Sequence, residues 1–176
     1  MTNTERRLYL FDCDETLWES EGHDWIGSVP SELSTQDGNA VTRTADGKVF
    51  KLKTGVEDAF VYLKETDVDG ERVIGIVSDN PPEPVMEALR LFGLWDVINA
   101  HAFNVRLWEG PCPKHEMVAE ILAKGEFGDI STRNVFWFDD KDYSQEADSI
   151  QVNFIQVNSQ TDLLQAVRGL DPGTQA

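Results

Sequence analysis

Cysteine is nearly missing from this chain. Its two cysteines, Cys13 and Cys112, form neither a metal-ligand spacing nor a disulfide framework. Histidine is almost as scarce, and His23, His101 and His115 have no ligand spacing. Positive charge is short as well: 15 lysines and arginines face 32 aspartates and glutamates, for a formal net charge of −17. Such a surface repels nucleic acid and anionic membranes, so neither is expected as a partner. No apolar run is long enough to span a bilayer, and the opening MTNTERRLYLFD carries no apolar signal segment. With so few cysteines, these absences lead to the expectation of a cytoplasmic protein. Repeats, low-complexity tracts and Pro/Gly/Ser-rich linkers are missing too. The expectation is one domain over residues 1–176, with a core at about 6–168 and a polar tail over 171–176.

What is present is an alternation of apolar patterns, in a chain whose 40% hydrophobic content is enough for a packed core. Strands are expected at Leu8–Phe11, Val73–Val77, Val135–Phe138 and Phe154–Val157. Each is short and largely apolar, as when both faces of a sheet are covered. Helices are expected between them. Thr54-Gly55-Val56-Glu57 has the form of a capping box ahead of Val56, Phe60 and Leu63 at helical spacing. Pro84 suits a first helical turn, with Val85, Leu89 and Phe92 on one face and Gly93 as the stop. Met117, Val118, Ile121 and Leu122 form another face closed by Gly125, and Leu163, Leu164 and Val167 a last one. This order predicts an α/β fold, a Rossmann-like doubly wound parallel sheet with helices on both faces. In the connection before the Val56 helix, β-formers flank Asp46-Gly47, a hairpin signal. A small β-hairpin insert at about 40–52 is therefore expected near the mouth of the site, with no large cap domain.

The run Leu8-Tyr9-Leu10-Phe11-Asp12-Cys13-Asp14-Glu15-Thr16-Leu17-Trp18 carries the chemistry. A buried strand ends in two aspartates one residue apart, and carboxylates are costly to desolvate unless paired or bound to metal. Ligands of such sheets bind beyond the carboxyl ends of the strands. Polar residues follow three of the expected strands: Asp12 and Asp14, then Ser78-Asp79-Asn80, then Asp139-Asp140. This set suits phosphoryl transfer. Asp12 can serve as nucleophile and Asp14 as proton donor and acceptor. Mg2+ can be held by Asp12 and the acidic pair, Ser78 can donate to a phosphate, and Lys114 supplies the local positive charge that the composition lacks. Asp79 and Asn80 face the bound phosphate ester or make the turn before Pro81-Pro82. An EF-hand is excluded, because Leu17 stands where such a loop needs glycine and His23 where it needs glutamate. Cys13 alternates with the two aspartates and is expected to point away from them into the core. Trp18 and Trp25 either wall the pocket or pack in the core.

Asp12-x-Asp14-x-Thr16, Ser78, Lys114 and Asp139-Asp140, in that order, resemble the four motifs of the haloacid dehalogenase superfamily. The similarity extends over roughly Arg6 to Arg168 and includes Thr16-Leu17-Trp18 and Trp137-Phe138-Asp139-Asp140-Lys141. It is closer to the superfamily's small magnesium-dependent phosphatases, the group named for protein-tyrosine and sugar-phosphate hydrolysis. The resemblance implies Asp12 as nucleophile and metal ligand, and Asp14 as acid/base with its carbonyl on the metal. It implies Ser78 and Lys114 as phosphate ligands, Asp140 as the direct ligand of the acidic pair, and Thr16 as a brace. Two departures stand out. Asp79-Asn80 follow Ser78 where the tyrosine-phosphatase-like members are expected to carry an arginine, and Ser144 stands in place of an asparagine. The expected activity is magnesium-dependent hydrolysis of a phosphate ester on a small molecule or a side chain, through an aspartyl-phosphate. A phosphomutase on the same scaffold, or a phosphorylation-switched receiver-like module, is the alternative. A receiver, however, places its acidic pair after the first strand and its lysine last. Dehalogenation has no use for Asp14 or a metal.

Overall fold

The computed structural model describes residues 5–29, 32–35, 37–67, 70–103, 113–124 and 126–171. Pro111, Cys112, Gly125 and the tail beyond Asp171 lie outside the described residues. The chain runs through β1 (Arg7–Phe11), β2 (Trp18–Ser20), β3 (Leu33–Thr35), β4 (Ala40–Arg43), β5 (Lys48–Leu52) and α1 (Val56–Glu65). It continues through β6 (Arg72–Ser78), α2 (Pro82–Leu91), β7 (Ala100–Phe103) and α3 (Lys114–Ala123), then β8 (Val135–Asp139), α4 (Ser144–Ser149), β9 (Asn153–Gln156) and α5 (Leu163–Arg168).

Five strands form a parallel sheet in the order β7-β6-β1-β8-β9, with β1 at its centre. The alternation of β1 divides the core. Tyr9 and Phe11 pack on one face with Phe60 and Leu63 of α1, Val85 and Leu89 of α2, and Val167 of α5. Leu8 and Leu10 pack on the other with Met117, Val118 and Ile121 of α3 and Ala147 of α4. A strand covered on both faces has no polar side, which is why RLYLF and VFWFD read as continuous apolar runs. The fold is therefore the expected doubly wound α/β sheet.

The hairpin forms at β4 and β5, with Gly47 in the left-handed region (φ 72°) and its N–H bonded to Arg43 O at 2.9 Å. It is the middle of a four-stranded antiparallel sheet, β2-β5-β4-β3, so the accessory layer is larger than the hairpin alone. Its apolar side, with Trp18, Leu33, Val41 and Phe50, joins the same core as Tyr9 and Phe11. The three-residue strands β2 and β3 are too short to leave a period, and β7, with the sequence AHAF, lacks β-branched residues. α4, with the sequence SQEADS, buries only Ala147 and so shows no apolar face.

The capping box at Thr54–Glu57 does not form. α1 starts after Gly55, whose φ of 77° is left-handed, with no side-chain cap. Tertiary docking wins here: Thr54 O accepts the Leu163 N–H at 3.3 Å, which brings the start of α5 against the start of α1. A Cβ on Gly55 would meet Asp162 Oδ1 and, at 3.1 Å, Leu163 N. Gly55→Ala is expected to destabilise the fold by about 1–3 kcal/mol through the left-handed backbone and this contact. Chemical denaturation of the variant beside Gly38→Ala, whose glycine meets only Leu91 O at 4.0 Å, measures the contribution of close approach.

Candidate active site

Three neighbouring strands bring the polar residues to one edge. Asp12 directly follows β1, and its N–H still pairs with Phe138 O of β8 at 2.9 Å. Asp139 is the last residue of β8, and Ser78 the last of β6. Lys114 opens α3 after Pro113, whose extended backbone suits a helix entry. Its ammonium lies 2.7 Å from Asp12 Oδ1, 2.8 Å from Asp139 Oδ2 and 3.8 Å from Asp79 Oδ2. Burial alone would lower the lysine's pKa, but Asp12, Asp139 and Asp79 together drive it above its ordinary value. Lys114 is held as a cation.

After Asp12 the chain turns tightly. Glu15 adopts a φ of 61°, which is unusual for a residue with a side chain. The turn is closed by Glu15 N–H to Trp18 O at 2.7 Å and Leu17 N–H to Cys13 O at 2.8 Å, and Lys53 Nζ holds Glu15 O at 2.6 Å. Thr16 Oγ1 reaches Asp12 Oδ2 at 3.5 Å, bracing the nucleophile candidate across the turn. Cys13 is fully buried in the core, and burial together with Asp12 and Asp14 pushes its thiol far up, so it is not a thiolate nucleophile.

Asp14 is placed differently from Asp12. Its Oδ1 accepts the Trp18 indole N–H at 2.6 Å and the Ile26 backbone N–H at 3.2 Å, and its Oδ2 accepts the Asn80 amide. Every one of these donors is neutral. Burial raises its pKa to about 6, helped by repulsion from Asp12 and opposed by the hydrogen bonds. Asn80 also donates its backbone N–H to Ser78 Oγ at 3.2 Å.

Asp12, Asp14, Asp79, Asn80, Lys114 and Asp140 line one cleft. Ser78 is fully buried beneath Asn80, and Asp139 is fully buried behind Lys114, where its Oδ1 also accepts the Lys141 N–H at 3.1 Å. Trp25, one of the two tryptophans expected to wall the pocket or pack in the core, lines the cleft, and so do Glu15 and Lys141, for which the sequence suggested no such role. Trp25 is 47% exposed at the rim, with Lys141 Nζ 5.6 Å from its ring centre. Trp18 is a core residue and does not line the cleft: it packs on Phe92 at 5.5 Å, and only its indole N–H reaches toward the site, to Asp14.

One carboxylate oxygen each from Asp12, Asp139 and Asp140 lies within 4.8 Å of the others. Burial and then the charge of Asp12 push Asp139 up to about 7, and the same two causes raise Asp140. The aspartates outnumber the two lysines around them, and this excess of negative charge on oxygen donors fits a hard divalent cation such as magnesium.

No protein-family model matches the sequence, and no curated protein matches it significantly. Solved structures do match the fold. A haloacid dehalogenase-superfamily hydrolase of subfamily IA from Geobacter sulfurreducens superposes with a TM-score of 0.61, at 13% identity over 94% of this chain and 97% of its own. The fold is that of the haloacid dehalogenase superfamily. A predicted phosphoglycolate phosphatase from Haemophilus somnus gives 0.58 at 14% identity, over 94% of this chain and 92% of its own. The N-terminal part of a Bacteroides fragilis protein, containing a phosphatase domain complexed with Mg, gives 0.57 at 13% identity, over 95% of this chain and 40% of its own. Among the described residues, no helix is long and apolar enough to cross a membrane.

The raised pKa of Asp14 has a consequence for stability. Between the ordinary aspartate value near 3.9 and about 6 the folded state binds more protons than the unfolded chain. Stability therefore falls as pH rises through that window and stays lower above it. In metal-free protein, the stability of Asp14→Asn relative to wild type is expected to shift in the variant's favour by about 2 kcal/mol between pH 4.5 and pH 8. Melting curves of both proteins in chelator across that range check the sign.

Proposed function

We propose that this protein is a magnesium-dependent phosphomonoesterase that works through an aspartyl-phosphate. The observation that carries the reading is the unequal treatment of two aspartates at one strand end. Asp12 is in contact with the Lys114 ammonium, while Asp14 is held only by neutral donors and its pKa is raised to about 6. One carboxylate against a cation and a second held by neutral donors suit a nucleophile beside a proton carrier.

An Asp12 oxygen attacks phosphorus, and the bond from phosphorus to the ester oxygen breaks. Asp14 gives its proton to that oxygen, and the alcohol leaves. Asp14, now a carboxylate, takes a proton from water. The water oxygen attacks the phosphorus and the bond to Asp12 breaks, releasing inorganic phosphate and restoring both residues. Lys114 turns from Asp12 toward the phosphoryl oxygens as charge moves onto them. Thr16 keeps Asp12 in line, and Ser78 supports the turn through Asn80. Asp12, Asp140 and the Asp14 carbonyl would hold magnesium, with Asp139 beside them; when bound, it supplies positive charge to the phosphoryl oxygens and offsets the crowded carboxylates. The substrate is a phosphorylated small molecule or a phosphorylated side chain. The strongly acidic surface argues against nucleic acid and anionic membranes.

Asp12→Asn is expected to abolish hydrolysis of p-nitrophenyl phosphate, a loss of at least about 10⁴-fold, while leaving the circular dichroism spectrum unchanged. Chelator should remove wild-type activity and magnesium restore it. Equal activity of the variant, or activity indifferent to chelation, would falsify the mechanism. Inorganic phosphate released in step with alcohol identifies a hydrolase. Phosphate passed to a second hydroxyl of a sugar phosphate identifies a mutase, and a phosphoprotein that persists for minutes identifies a switch.

A further inference from the structure

Arg43 lies outside the cleft, on β4 of the accessory sheet, yet its surroundings connect it to Asp14. It is 1% exposed in a strand whose other inward residue is Val41, so an arginine occupies a core-facing position. Every group of its guanidinium is engaged. Nη1 donates to Trp25 O at 2.6 Å and to Ser28 Oγ at 2.7 Å. Nη2 donates to Asp24 and, at 2.7 Å, to Asp46 Oδ2, and Nε donates to Asp46 Oδ1 at 3.1 Å. Phe50 lies under the guanidinium, 5.5 Å from ring centre to carbon. The guanidinium thus ties the loop 24–28 to the β4–β5 turn, and only a planar fork can reach carbonyls and two carboxylates at once.

That loop is the roof of the acid/base. Its Ile26 N–H bonds to Asp14, its Ile26 side chain is buried in the core, and its Gly27 sits so close to the Ser78–Pro84 turn that a Cβ would come within 3.0 Å of Pro81 and 3.1 Å of Asn80 Oδ1. Asn80 is itself a donor to Asp14. A shift of the loop by a fraction of an ångström would move one donor directly and press on another.

We infer that Arg43 is a positioning residue for proton transfer: it fixes the 24–28 loop so that the Ile26 N–H and Asn80 aim the Asp14 carboxyl at the leaving oxygen. The inference rests on the phosphatase reading for its kinetic effect, but not for its structural one. Esters differ in how much they need the acid. An alkyl phosphate leaves as a strong base and depends on protonation, whereas p-nitrophenolate leaves unaided. In the step that releases the alcohol, Arg43 therefore matters more for one than for the other, whereas the attack of water that follows is the same for both.

The test compares wild type with Arg43→Met, Arg43→Lys and Gly27→Val. In Arg43→Met, kcat/KM for an alkyl phosphate, which reports the alcohol-releasing step and not the later attack of water, should fall by about 10- to 100-fold, while kcat/KM for p-nitrophenyl phosphate changes by less than about 3-fold. Gly27→Val, which displaces the loop with Arg43 intact, should show the same split, and Arg43→Lys should not rescue it. Amide hydrogen exchange gives a readout that needs no activity: protection at Ile26 should drop in Arg43→Met while Leu10 in the central sheet stays protected. Equal losses on both esters, or unchanged exchange at Ile26, overturn the inference. Asp14→Asn separates the two levels. If it shows the split and Arg43→Met does not, the positioning role fails alone. If it shows none, the acid/base reading fails, and the Ile26 exchange still decides whether Arg43 holds the loop. Where Arg43→Met does not fold, Asp46→Asn removes one arm of the anchor and is read in the same way.

Discussion

The Lys114 ammonium, buried between Asp12 and Asp139, is the contact around which the rest of the protein is arranged. A lysine at the first residue of a helix is badly placed with respect to the helix dipole, and a buried one is worse. Both costs are met by carboxylates that adjacent parallel strands deliver to the same edge. The strand order sets the requirement: β8 must lie beside β1 for Asp139 to stand beside Asp12. The lysine also reaches across from α3 on one face of the sheet, joining a helix to a strand edge through charge, where elsewhere the two layers are joined by apolar packing.

The same contact explains why two aspartates so near in sequence differ. Asp12 has the lysine; Asp14 does not, and the turn with Glu15 in the left-handed region carries it toward the accessory sheet instead. There it meets an indole, an amide and a backbone N–H. Neutral donors hold a carboxyl in place without stabilising its charge as strongly as a cation does, so orientation and proton affinity are set separately. Positive backbone φ at a functional turn is a strain that the surrounding contacts must hold, and Lys53 on Glu15 O is one of them.

Much of this was legible in the sequence because it follows from periodicity. Leu8–Phe11 and Val135–Phe138 have to be buried on both sides, and polar residues after such strands have to meet at one edge. Asp12, Asp14, Ser78 and Asp140 were legible for that reason, and Lys114, which opens α3, as the cation that such an acidic edge needs. What was not legible depends on approach between distant segments. The Asn80 amide turned to Asp14, and the uncapped start of α1 at Gly55 with Thr54 O taken by the Leu163 N–H, are set by tertiary neighbours. Arg43 did leave a trace, since it shares the inward side of β4 with Val41, but its five-residue loop partner has no pattern of its own. Trp25 and Lys141 come together only because an insert and a strand end fold over one cleft.

The accessory sheet does not hang from the domain on a linker. Trp18, Leu33, Val41 and Phe50 belong to the same apolar cluster as the central strand. Swinging this layer outward would bring several large side chains into water, at roughly 1.5–3 kcal/mol each. The part of the roof built by residues 24–28 is therefore a fixed aperture. In the phosphatase we propose, a substrate would have to fit this aperture as it stands, and the alcohol would leave through the same opening with no hinge to move.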